Sequence, residues 1–177
     1  MTATATPDIR LVHEIDEMRE LLTVFGRVWG ITSGQEFVSA DVMKALSHAG
    51  NYLAGVFVDG VMIGGSMAFF GGHAGAPSPP SPVTGVVPGP QHPGLGRALK
   101  QHQRMWALDQ GLASITWTFD PLVRRNAWFN LQRLGVRCDE FLVDFYGPLR
   151  DEINGDDETD RLLAVWDVSG SRAIEAA

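Results

Sequence analysis

The sequence predicts an α/β (α+β) fold, a mixed central sheet of about six to seven strands flanked by about four helices. Three observations carry this. Apolar runs of strand length alternate with stretches whose apolar residues recur at helical spacing. Two adjacent apolar runs, Tyr52–Val58 and Val61–Phe70, meet at Asp59-Gly60, a pair that accepts the positive φ of a two-residue hairpin turn. A third run, Val83–Val87, leads through a Gly-rich turn straight into a helical pattern.

Taken in order, Ile9–Val12 reads as a first strand. Asp16–Val28 reads as a helix, with Met18, Leu21, Leu22 and Phe25 on one face. A second helix, Ala40–His48, has Ser39 as its N-cap. The Asp59-Gly60 hairpin follows. Gly71–Pro82 then interrupts the pattern, and seven of the chain's ten prolines fall between Pro77 and Pro93. Proline donates no backbone hydrogen bond, so residues 71–82 are expected to form an exposed loop, either a plain surface connection or a substrate-side lid.

The helix from Gly94 to about Asp109 carries Leu95, Ala98, Leu99, His102 and Trp106 on one face and Arg97, Lys100 and Arg104 on the other. His102 on the apolar face reads as a hydrogen-bonded core residue. Ser114–Phe119 forms a fifth strand. Asp120-Pro121 reads as an N-cap followed by the first helical position, opening a helix that ends at Gly135. Val136–Tyr146 and Arg161–Val168 supply the last strands.

The bulk numbers narrow the function classes. With 177 residues, 45% of them hydrophobic, the chain suits one domain over residues 9–168, with 1–8 a frayed start and 169–177 a flexible tail. A net charge of −7 argues against nucleic acid or an anionic membrane as partner. Cys138 is alone, so no internal disulfide forms and a reducing cytoplasm fits. The N-terminus lacks the basic start and apolar core of a signal peptide, and no apolar run is long enough to span a bilayer. The five histidines show no ligand spacing, so no metal is expected.

Chemistry concentrates in Gln91-His92-Pro93-Gly94-Leu95-Gly96-Arg97-Ala98-Leu99-Lys100. Glycines let the backbone approach an anion closely. The first helical N–H groups lack internal partners and add partial positive charge, so this turn suits a pyrophosphate. A dinucleotide fingerprint needs a small residue where Leu99 stands, and a P-loop needs Gly-Lys-Ser/Thr; neither is present.

The remaining pattern, Gln-x-x-Gly-x-Gly after a strand, resembles the coenzyme A pyrophosphate loop of the GNAT acyltransferases (Gcn5-related N-acetyltransferases), whose pattern is Arg/Gln-x-x-Gly-x-Gly/Ala. The element order is similar to that of the same fold. Gly85-Val86-Val87-Pro88, Trp117-Thr118-Phe119-Asp120-Pro121-Leu122, Asn126-Ala127, Leu134-Gly135, Tyr146-Gly147 and Asp160-Arg161-Leu162-Leu163 resemble a bacterial GNAT subgroup usually labelled predicted acyltransferase. The match covers roughly residues 85–166.

The resemblance implies a splayed pair of fourth and fifth strands and an acetyl-CoA or other acyl-CoA co-substrate. Val86 and Val87 would lie along the pantetheine arm, a backbone N–H there polarising the thioester carbonyl and stabilising the oxyanion that develops from it. Gln91, His92, Gly94, Leu95, Gly96 and Arg97 would hold the pyrophosphate, Arg97 or Lys100 would pair with the 3′-phosphate, and Asn126 would lie near the pantetheine. The activity implied is transfer of an acetyl, succinyl or similar group to the amine of a small molecule, an amino acid among them, by direct attack in a ternary complex. A homodimer is a further expectation, with Trp128 its candidate contact. Two departures stand out. The family pattern places a proton-donating tyrosine where this chain has Leu131, and the subgroup's histidines before the fourth strand are replaced by Ser78-Pro79-Pro80-Ser81-Pro82. They motivate the alternative of a non-catalytic acyl-CoA-binding or sensing module.

For the chemistry itself, amine acylation needs a base for the ammonium and a donor for the leaving thiolate. Asp120, at the end of the fifth strand, is the candidate base. Tyr146 is the candidate acid. Cys138 is a poor nucleophile, with no histidine beside it in sequence.

Overall fold

A computed structural model describes residues 6–30, 38–73, 76–87, 89, 93–147 and 159–176, with the backbone alone for 71–73 and 76–82. Seven strands and five helices follow in the order β1 (Asp8–Leu11), α1 (Ile15–Trp29), α2 (Ala40–His48), β2 (Tyr52–Val58), β3 (Val61–His73), β4 (Ala76–Val86), α3 (Leu95–Asp109), β5 (Ser114–Phe119), α4 (Arg124–Trp128), β6 (Arg137–Leu142), β7 (Arg161–Asp167) and α5 (Ser171–Glu175). A π-helical turn, Phe129–Arg133, continues α4. The chain divides into two compact units, residues 1–69 with 83–103, and residues 70–82 with 104–177.

The strands form two antiparallel sheets rather than one mixed sheet, ordered β1-β2-β3-β4 and β5-β7-β6. β4 and β5 are thus terminal strands of different sheets. In the first unit, β2 is buried along its whole length. Asp59 (φ +50°) and Gly60 (φ +79°) make the β2–β3 hairpin, as their sequence requires. Met18, Leu21, Val24 and Phe25 of α1 pack with Met43, Leu53, Phe57, Met62 and Met67 in one apolar core. Truncating a side chain such as Leu21, which has no exposure, costs about 2–5 kcal/mol. Ser39 caps α2 by accepting the Val42 N–H.

The second core gathers Ile115, Trp117 and Phe119 of β5 with Ala164 and Trp166 of β7 and Leu134, Val136 and Ala107. Alternate β5 residues are buried, the mark of a half-covered strand.

Three expectations need correction. The proline-rich stretch is not a loop: β3 runs on to His73 and β4 begins at Ala76, carrying Pro77, Pro79, Pro80 and Pro82. β4 is a terminal strand, and only there can a strand tolerate residues that donate no ladder bond. Ser171–Glu175, expected as part of a flexible tail, is helical, and Ala173 is buried in the second core. Asp120 does not cap α4. The helix starts at Arg124 with Val123 as its N-cap residue, while Asp120 Oδ1 accepts the Leu122 N–H at 2.8 Å in an Asx turn.

Candidate functional site

In the first unit, β4 and the start of α3 build an anion cradle. Three contacts fix the β3–β4 register. The Val87 N–H donates to Ile63 O at 2.8 Å, the Ser66 and Thr84 hydroxyls meet at 2.8 Å, and Gly64 packs directly under Val86. Ile63 therefore faces Val87, and Gly64 faces Val86. Antiparallel strands alternate their hydrogen-bonding direction residue by residue. Val87 has spent its N–H on β3, so it is not the donor for a thioester carbonyl. Val86 turns its N–H the other way, to the edge of the terminal strand.

Beyond β4, Gly94 takes φ +86° and its carbonyl accepts the first helical bond, from Ala98 N–H at 3.0 Å. The N–H groups of Leu95 and Gly96 precede that bond and have no partner among the described residues. A Cβ built on Gly94 or on Gly96 would meet nothing within 4 Å. Open space beside unpartnered amides at a helix start suits a phosphate such as the pyrophosphate of an acyl-CoA. Pro93 contributes no donor. Leu95 is buried and anchors the turn. Gln91 and His92 lie outside the described residues.

Lys100 is not on a solvated face. It is only 5% exposed, and its Nζ donates to the buried Gln103 Oε1 at 3.2 Å. Burial pulls its pKa down to about 7. On the same helix, His102 Nδ1 lies 2.8 Å from the Tyr52 hydroxyl, the hydrogen-bonded core role expected of it, and burial lowers its pKa. Arg97 is half-buried.

In the second unit, the end of β5 carries a separate polar cluster. The β5–β7 ladder ends with Thr118 facing Leu163 and Phe119 facing Leu162. Asp120 follows the last β5 rung, and Arg161 opens β7. Thr118 lies on the face opposite the buried Trp117 and Phe119. Tyr146 reaches this face from the turn after β6. Its hydroxyl lies 2.7 Å from Thr118 Oγ1, and the Arg161 guanidinium lies 5.4 Å from its ring centroid.

The turn that presents Tyr146 is held firmly. The Tyr146 N–H donates to Thr159 Oγ1, the Phe145 N–H to Thr159 O, and the Thr159 N–H to Asp144 Oδ1. Thr159 is fully buried. Asp120 is half-buried, and its Oδ2 makes no hydrogen bond among the described residues. A carboxylate and a phenol therefore stand at the end of β5, Thr118 and Asp120 being two residues, or roughly 7 Å, apart along the chain.

Asn126 is exposed on α4, its backbone N–H donating to Val123 O and its carbonyl accepting the Phe129 N–H. Leu131, where the family pattern has tyrosine, is 40% exposed on the π-helical turn. Cys138 is exposed, and partial desolvation with neighbouring Asp139 raises its pKa, which keeps the thiol protonated. Trp128 is exposed with the Arg133 guanidinium 5.5 Å from its ring centroid. Thr118 and Arg161 are members of the β5 cluster that sequence reading missed. A cleft of about 630 Å³ beside Arg10, Glu17 and Glu20 stands apart from these features; its Arg10 is already paired with Glu17 at 2.6 Å. Among the described residues no cluster of His, Cys, Asp or Glu could hold a metal, and no helix is long and apolar enough to cross a membrane.

No protein-family model and no curated protein matches the sequence. Solved structures match the fold. An N-acetyltransferase from Staphylococcus aureus Mu50 superposes with a TM-score of 0.72 over 93% of this chain and 100% of that one, at 13% identity. An acetyltransferase of the GNAT family from Streptococcus pneumoniae gives 0.70 over 90% and 98%, at 15% identity. A Salmonella typhimurium protein solved with its cofactor acetyl-CoA gives 0.70 over 94% and 96%, also at 15% identity. The fold is that of the GNAT acetyltransferases.

Proposed function

We propose that the chain is an acyl-CoA-dependent N-acyltransferase, with residues 9–168 serving as one domain that transfers an acetyl, succinyl or similar acyl group to a small amine in a ternary complex. The observation that carries this reading is the turn at Gly94 and Gly96, where no described residue comes within 4 Å of either Cβ position and the Leu95 and Gly96 amides have no partner among the described residues. The Salmonella structure of the same fold, solved with acetyl-CoA, supports the choice of ligand.

The acyl-CoA supplies an activated thioester. This chain's residues do the rest. The Leu95 and Gly96 amides bind the pyrophosphate, and Val86 N–H is the donor for the thioester carbonyl as negative charge develops on its oxygen. Asp120 Oδ2 takes the proton of the acceptor ammonium, since only the neutral amine attacks. The Tyr146 hydroxyl gives a proton to the departing thiolate and regains one from solvent. Thiol release across a panel of amines, with acetyl- and succinyl-CoA as donors, tests the reading. It stands if some pair releases thiol faster than hydrolysis and Asp120→Asn suppresses the release.

One observation favours a second reading, a non-catalytic acyl-CoA sensor: Leu131 replaces the proton donor of the family pattern. Acyl-CoA binding with no thiol release across the whole panel would select the sensor.

A further inference from the structure

Tyr146 is exposed, so burial does not hold it in place, yet both of its ends are fixed. Its hydroxyl meets Thr118 Oγ1 at 2.7 Å, and its backbone N–H donates to Thr159 Oγ1 at 2.9 Å. Ordering an exposed side chain costs conformational entropy that packing does not return. Thr159, which takes no part in the chemistry above, supplies the second contact. It stands two residues before β7, the middle strand of its sheet, and has no exposure at all. A threonine shut away from water must satisfy its N–H, carbonyl and hydroxyl internally. Thr159 directs all three at the one turn, residues 144–147, that carries Tyr146. Its N–H donates to Asp144 Oδ1 at 3.2 Å, and its carbonyl accepts the Phe145 N–H at 3.0 Å. Its hydroxyl oxygen accepts the Tyr146 N–H and lies 3.2 Å from Asp144 Oδ1 and 3.1 Å from Gly147 O, either of which can take its single proton.

The turn depends on these bonds. Asp144 takes φ +43°, a left-handed backbone that a residue with a Cβ keeps only where its surroundings hold it. Thr159 holds its carboxylate, and Asp160 Oδ1 accepts its N–H at 3.0 Å. Thr159 thus ties the turn to the start of the central strand, while Thr118 fixes the phenol that the turn presents. We infer that Thr159 is a positioning residue of the acyl transfer: its hydroxyl holds the Tyr146 backbone so that the phenol stays over the end of β5, where its proton is used. This rests on the acyltransferase reading for the role of Tyr146, but the fixing of the ring does not require turnover.

The test uses the full chain with Thr159→Val, Thr159→Ser and Asp144→Gly, each alone and combined with Tyr146→Phe. Valine has the shape of threonine without the hydroxyl, and serine keeps the hydroxyl. Glycine accepts the backbone of position 144 and removes the carboxylate that Thr159 bonds. For thiol release from acetyl- or succinyl-CoA, kcat should fall by about 5-fold in Thr159→Val and about 3-fold in Asp144→Gly, with the KM for acyl-CoA within about twofold. Thr159→Ser should stay within about twofold of the wild type. In the Tyr146→Phe background the same substitutions should change kcat by less than about twofold, because the group they position is gone. A purely structural role would lower the rate equally in both backgrounds. The chain has two tyrosines, so NMR of protein labelled on the tyrosine rings reads Tyr146 directly, with Tyr146→Phe assigning its signal. That signal should move to the position of free tyrosine in Thr159→Val and stay in Thr159→Ser. Asp144 is exposed, so Asp144→Gly keeps the test intact if Thr159→Val folds poorly. Equal loss of rate with and without the phenol, a full rate in Thr159→Val, or an unmoved ring signal in that variant overturns the inference. In an active wild type these outcomes defeat only the role of Thr159, whereas a wild type that releases no thiol from any pairing of donor and amine defeats the acyltransferase reading and this role with it.

Discussion

The Tyr146 hydroxyl meets the Thr118 hydroxyl at 2.7 Å, which fixes a phenol from the turn after β6 over the end of β5. The contact joins two segments far apart in sequence, and Thr159 locks it from behind. If Tyr146 protonates the thiolate, Tyr146→Phe should lower kcat by about 10-fold, less than a full general acid provides because a thiolate leaves readily. The KM for acyl-CoA should hardly move. Steady-state kinetics with Thr118→Val alongside checks this: the valine variant keeps the phenol but frees it, so its kcat should fall between wild type and Tyr146→Phe.

Asp120 has two separable duties. Oδ1 accepts the Leu122 N–H, and Oδ2 is left for the acceptor amine. Asparagine preserves the first duty and abolishes the second. Asp120→Asn is expected to melt within a degree or so of wild type while kcat falls by about 10²-fold or more. An equal rate in both proteins removes Asp120 from the mechanism.

Gly96 separates the needs of the fold from those of the ligand. Its Cβ position is empty, so Gly96→Ala should gain up to about 1 kcal/mol in helix stability, or about 2–4 °C in Tm. The loop pattern this turn resembles accepts alanine here, so acyl-CoA affinity should hold within about threefold, whereas Gly96→Glu, which adds bulk and negative charge beside the amides, should lower it by at least about 10-fold. Scanning calorimetry and titration on the two variants separate the two needs.

Lys100 makes stability depend on pH. Its folded pKa of about 7 lies below the ordinary 10.5. Between these values the unfolded chain holds the proton and the folded chain does not, so raising the pH favours the folded state. Below pH 7 both states are charged and burial destabilises the fold in full. Denaturant midpoints should climb from about pH 7 to pH 10 in the wild type. In Lys100→Met that climb should vanish, with the variant's advantage greatest at the acid end.

What could be read from the sequence was whatever local chemistry decides. The Asp59-Gly60 turn, the Ser39 cap and the amphipathic α1 follow from propensity and spacing, and the structure has them where expected. The proline-rich stretch misled because proline argues against a strand only where neighbours pair on both sides, and position in the sheet is not a local property. Lys100 misled in a similar way. A lysine at helical spacing reads as surface, whereas this one is buried, and its burial depends on tertiary packing that spacing does not encode. At the site, the glycine turn was visible because its residue types are special. Val87 was named alongside Val86 because only a ladder register tells which amide is spent. Thr118 and Arg161 stayed hidden since the pairing of β5 with β7, not any motif, brings them to Tyr146.

The measurement that bears most directly on the central claim is isothermal titration of acetyl-CoA into the wild type, Gly94→Glu and Gly94→Asn. Asparagine tolerates the left-handed backbone of position 94 (φ +86°) and adds no charge, so it controls for folding. The account expects saturable binding to the wild type, binding retained at reduced strength in Gly94→Asn, and none in Gly94→Glu, whose carboxylate would repel the pyrophosphate. No heat from the wild type at millimolar ligand, or undiminished binding to Gly94→Glu, would contradict it.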